Sequence, residues 1–160
     1  MPKYELKIEE SFLQSAKDGG VPLRVSLANR ERLSGLVSVV GRYDLNIDSD
    51  GKIITILKKE IFHISPQRQL LDEAFFSAAV PDEVPAGKSR VQDEFLARYI
   101  KEKTLALLRM TNGEELRGVV EGYDGFTIAL KTSRGQVLMY KHGLCCIAPG
   151  YRRHGREDEQ

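Results

Sequence analysis

The sequence predicts a mainly β chain made of two copies of one unit. Each copy is a short helix followed by five strands in a strongly bent antiparallel sheet or open barrel. Three observations predict this. Displaced by 83 residues, the chain matches itself without a gap from Phe12 to Gln67, with ten identities. The identities include turn and bend positions: Asn29 falls on Asn112, Gly35 on Gly118 and Pro66 on Pro149. Hairpin dipeptides then divide short apolar runs, with Asp50-Gly51 in one copy and Asn112-Gly113 and Asp124-Gly125 in the other.

The units follow as residues 1–66 and 91–150, with a linker at 67–90 and a loose tail at 151–160. In the second copy, "QDEFLARYIKEK" sets Phe95, Leu96, Tyr99 and Ile100 on one helical face. Asp93 and Glu94 stand where negative charge suits the helix dipole. The strands read "TLALLRMT", "ELRGVVEGY", "FTIALKTS", "QVLMY" and "LCCIA". The first copy reads "VPLRVSLA", "RLSGLVSVV", "YDLNI", "IITIL" and "IFHIS". Gly35 and Gly118 lie inside strands, where glycine marks a sharp bend or a close backbone approach. Within the linker, "LLDEAFFSAAV" reads as a short helix, and Pro81, Pro85 and Gly87 read as connector. A unit of about 60 residues buries little surface, and its short last strands invite pairing with another unit.

Composition narrows the function classes. The chain has 160 residues, 41% of them apolar, and a net charge of +1, so any nucleic-acid contact must come from local charge. No run of about 18 apolar residues suggests a membrane span. The N-terminal "MPKYELKIEE" lacks a signal-peptide core, and a cytoplasmic location is expected. Cys145 and Cys146 are adjacent and read as a reduced, half-buried pair.

"VLMYKHG", residues 137–143, places Tyr140, Lys141 and His142 at what reads as the tip of a hairpin. Catalysis by His142 would need an orienting carboxylate and a nucleophile, and no nucleophile motif stands nearby. His63, His142 and His154 give no metal-ligand spacing. An enzyme, a metal and a cofactor are therefore not expected. Tyr140 and His142 could simply finish and pack a strand, or the cluster could read bases by stacking and hydrogen bonding.

The second copy resembles the Hfq family of bacterial RNA chaperones, within the Sm-like fold. The resemblance rests on "QDEFL" (92–96), "NGEELRG" (112–118), "YDGF" (123–126) and "YKHG" (140–143), closing on Pro149. The first copy is more weakly similar, through "FLQ" (12–14), "VPLRVSLAN" (21–29), "LSG" (33–35) and Lys58-Lys59. The resemblance implies two Sm-like units per chain and a ring of six, hence a homotrimer forming a pseudo-hexamer. It implies binding of single-stranded, U-rich RNA on the pore-proximal face and a role in post-transcriptional regulation. The residue matching Phe126 would stack on uracil. Those matching Lys141 and His142 would contact base and phosphate, with Gln92 and Tyr140 contributing.

The first copy would offer Tyr43, Lys58 and Lys59 at the matching positions, with Leu57 in place of the Tyr140 hydroxyl. A rim site would use Arg98, Lys101 and Lys103. On the opposite face, Arg109 and Ser26 stand where the family has an aromatic residue, and Glu114 and Glu115 add negative charge, so A-rich binding is not expected there. The alternative is an Sm-like structural or protein-interaction ring that has lost RNA binding.

Overall fold

Ile8, Phe12, Leu13 and Ala16 recur at helical spacing and are fully buried, which makes Lys7–Gly19 an amphipathic helix, α1. Its end is set by Gly20 in the left-handed region (φ 62°) and by the Val21 N–H bonding back to the Ala16 carbonyl at 2.9 Å. Five strands follow: β1 (Leu23–Leu27), β2 (Arg32–Val40), β3 (Asp44–Ser49), β4 (Lys52–Leu57) and β5 (Ile61–Pro66). The same order then recurs as α2 (Val91–Glu102), β6 (Leu105–Met110), β7 (Glu115–Tyr123), β8 (Thr127–Thr132), β9 (Gly135–Tyr140) and β10 (Leu144–Pro149). This computed structural model describes residues 7–67 and 91–150. The helix expected in 70–80, the rest of the linker and the tail lie outside the described residues.

Local irregularities repeat at the 83-residue offset. The β2·β3 ladder slips between Val37 and Val39, and the β7·β8 ladder between Val120 and Gly122. A bulge there sharpens the bend of a long strand. Gly35 and Gly118 serve the same bend. A Cβ on Gly35 would stand 2.6 Å from the Asp48 carbonyl oxygen, and one on Gly118 2.5 Å from that of Lys131.

All ten strands form one antiparallel sheet in the order β10-β6-β7-β8-β9-β5-β1-β2-β3-β4. The halves join where β5 pairs with β9, with His63 opposite Met139 and Ile64 opposite Leu138. Their cores cross this join. Ala129, Leu138 and Tyr140 pack into the N-terminal core, and Phe62 into the C-terminal one. Gly143 permits it, because a Cβ there would come within 2.6 Å of the Phe62 ring. β4 and β10 are left as the two sheet edges. Among the described residues, no helix is long and apolar enough to cross a membrane.

The stretch 140–143 is not a hairpin tip. Lys141–Gly143 form a 3-10 turn, as do Lys58–Glu60. The strands on either side do not pair with each other: β9 pairs with β8 and β5, and β10 with β6. An apolar run followed by a glycine looks the same in both cases. The partner strand, distant in sequence, decides between them. Cys145 and Cys146 are free thiols and exposed rather than half-buried, because they lie on edge strand β10.

Candidate nucleic-acid interface

Each 3-10 turn is tied to an exposed aromatic residue by one backbone hydrogen bond. The Lys141 N–H donates to the Phe126 carbonyl at 2.8 Å, and the Lys58 N–H to the Tyr43 carbonyl at 2.9 Å. Phe126 is 52% exposed and Tyr43 73%, unusual values for large rings in a folded sheet. Arg42 lies over the Tyr43 ring, 5.5 Å from its centroid, and Lys141 Nζ lies 5.2 Å from that of Tyr123. Phe126 is held in the turn that precedes β8 rather than in the strand. Its N–H donates to Asp124 Oδ1 at 2.9 Å.

Asp124 organises the junction between the halves. Its Oδ1 accepts from Phe126 N–H, Thr127 N–H and the Thr127 hydroxyl, and its Oδ2 from Ile8 N–H and Glu9 N–H at 3.1 Å. One carboxylate thus fixes an aromatic turn in the C-terminal half and caps the helix that opens the N-terminal half. Burial pushes the Asp124 carboxyl upward, and the hydrogen bonds it accepts oppose that shift. In the N-terminal half the corresponding positions are Gly41 and Asp44, so the carboxylate has moved three residues along the turn. A Cβ on Gly41 would collide with the Asp44 carboxylate, which fills the vacated space.

Glu9, in the first turn of α1, is buried beside this carboxylate. Its Oε2 accepts from the Tyr140 hydroxyl at 2.6 Å and pairs with Lys58 Nζ at 3.0 Å. Burial, then the Glu9 charge, pushes the Tyr140 phenol well upward, so it stays a donor. His142 Nε2 lies 2.7 Å from the Ile61 carbonyl oxygen across the junction, with its ring centroid 5.4 Å from that of Tyr140. Phe126, Tyr140 and His142 therefore meet Glu9 and Lys58 of the other half. Tyr140 is buried with its hydroxyl engaged, and Lys58 is in an ion pair. Lys59 is exposed, and Gln92 falls in the first turn of α2, with its side chain outside the described ones. Arg98 and Lys101 are exposed on α2, and Lys103 follows it in the left-handed region (φ 54°).

The opposite face is less acidic than its residues suggest. Glu114 is almost buried, paired with Arg32 at 3.0 Å and accepting from Asn112, and Glu115 pairs with Arg109 at 2.8 Å. Arg24, Arg32, Arg117 and Arg134 line a 640 Å³ groove across the junction. Repulsion by Glu114 and Glu115 is cancelled by these pairings.

Comparison with known proteins places these features. Residues 91–154 match the family model described as Hfq protein. The RNA-binding protein Hfq of Bacillus thuringiensis (strain Al Hakam) is 42% identical over 59 residues, covering 37% of this chain and 80% of that protein. The Hfq proteins of Bacillus mycoides (strain KBAB4) and Bacillus cereus (strain B4264) match with the same identity and coverage. A solved structure of the pleiotropic translational regulator Hfq aligns with a TM-score of 0.36 and 29% identity, over 37% of this chain and 98% of that one. With the helix, five strands and "YKH" turn of its C-terminal half matching across four fifths of such proteins, the chain belongs to the Hfq family of RNA-binding proteins.

Proposed function

We propose that three chains close into a ring of six Sm-like units, two per chain in tandem, and that the ring binds single-stranded, U-rich RNA for post-transcriptional regulation. The observation that carries the RNA reading is the pair of exposed rings, Phe126 and Tyr43, each bonded through its carbonyl to a basic 3-10 turn. An exposed ring offers a stacking platform worth about 1–3 kcal/mol per base, and the adjacent lysines supply charge for phosphate. The relatives named as RNA-binding proteins agree with it.

The edges support the ring. Displacing the β5·β9 register by 83 residues pairs β10 of one chain with β4 of the next, Cys146 opposite Ile56 and Ile147 opposite Thr55. Ile53 and Leu57 on β4 are 53% and 49% exposed, whereas their counterparts Gln136 and Tyr140 are covered at the junction. Volumes are exchanged as well. Phe62 faces Gly143 within the chain, and the corresponding pair between chains is Cys145 and Glu60. Asp44 stands where it would cap α2 of the next chain, as Asp124 caps α1. Such head-to-tail contacts close when the rotation per step divides the circle.

Substituting Phe126 or Tyr43 by alanine should weaken oligo(U) binding at least fivefold, while native mass spectrometry still finds three chains. Binding that ignores both changes would remove the stacking role. A second reading, a structural or protein-interaction ring, is favoured by the ion pair that occupies Lys58. It predicts the same trimer mass with no RNA retained.

A further inference from the structure

We propose that Glu9 closes the junction within each chain to RNA, so that the ring takes uridine nucleotides only at the three junctions between chains. This rests on the RNA-binding reading above. Glu9 Oε2 already holds two donors, the Tyr140 hydroxyl at 2.6 Å and Lys58 Nζ at 3.0 Å. Those are groups that a base oxygen or a phosphate would need. Both charged side chains are largely buried, at 3% exposure for Glu9 and 12% for Lys58. The cation is thus spent on a carboxylate, and the junction beside Phe126 presents no net charge from the pair.

The positions that correspond at the outer junction differ in each respect. Glu9 becomes Gln92, a neutral amide with both donors and an acceptor. Lys58 becomes Lys141, whose ammonium lies over the Tyr123 ring rather than against a carboxylate from this position. His142 becomes Lys59 of the next chain, which is exposed, and Phe126 becomes Tyr43, the more exposed ring. Two cations and an aromatic platform face the strand there, against a cancelled pair within the chain. A single-stranded polyanion distinguishes these two environments strongly. Glu9 is therefore a selectivity residue, one that sets how many of six similar sites accept a nucleotide.

The test uses the full chain, labelled hexauridine and uridine 5′-monophosphate. Glu9→Gln copies the outer junction into the inner one, and the Lys58 stem is long enough to carry its ammonium toward water. The expected results are hexauridine binding about tenfold tighter, a salt dependence steeper by about 0.7 per added phosphate contact, and monophosphate saturation rising from one per chain to two. Gln92→Glu should weaken hexauridine binding about tenfold or more, and carries the test alone if Glu9→Gln fails to assemble. Wild-type binding left unchanged by both substitutions would overturn the inference and leave the RNA reading standing. A wild-type chain that ignores hexauridine while Glu9→Gln binds it would instead sustain the closing role of Glu9 and sink RNA binding by the native ring.

Discussion

Asp124 does the most with the fewest atoms. Its carboxylate joins residues 115 and more positions apart in the chain, so its removal should loosen both the Phe126 turn and the α1 cap. Asp124→Ala should cost about 3 kcal/mol in urea unfolding, and Asp124→Asn less, because the amide oxygen still accepts. Loss of under 1 kcal/mol in the alanine variant would contradict the bridging role. His63 offers a second check. Burial lowers its pKa, against the raising effect of Glu114, whose Oε1 lies 3.5 Å from Nε2. The unfolded chain then binds a proton that the folded chain resists. Stability should therefore fall as pH drops below about 6.5, until the lowered folded value is passed. His63→Asn should flatten that part of the pH–stability curve, and an identical slope in the variant would assign it to other groups.

At the scale of elements, local chemistry was readable where it is encoded locally. Asn112-Gly113 and Asp50-Gly51 forecast turns, and both occur with positive φ at the glycine. Gly35 and Gly118 forecast close backbone approaches, and a Cβ at either would strike a neighbouring carbonyl. Gly118→Ala should therefore cost about 2–3 kcal/mol, measured by thermal or urea unfolding, whereas a neutral change would show that β7 can unbend. The 3-10 turn at Lys141–Gly143 was not readable. Its identity depends on β9 pairing with β5, a partner more than 70 residues away, and no window around the turn contains that information. Glu9 was missed for a related reason. The repeat match began at Phe12, three residues late; extended backwards, it puts Glu9 in one column with Gln92. Only the fold then shows that Glu9 engages Tyr140 and Lys58.

For the whole molecule, the two halves share a plan and have diverged at complementary places. Asp124/Thr127 answers Gly41/Asp44, Phe62/Gly143 answers Cys145/Glu60, and Glu9 answers Gln92. Divergence of this kind distinguishes the junction inside a chain from the proposed junction between chains. It favours alternation around a ring over random pairing of equal units. The central claim is that the face built from Phe126, Tyr43 and the two basic turns binds single-stranded, U-rich RNA. Fluorescence anisotropy of labelled hexauridine, titrated with the full chain at two salt concentrations with hexaadenosine alongside, tests it most directly. The account predicts saturable hexauridine binding that weakens as salt rises and exceeds hexaadenosine binding. No binding to either strand, or equal binding to both, would contradict it.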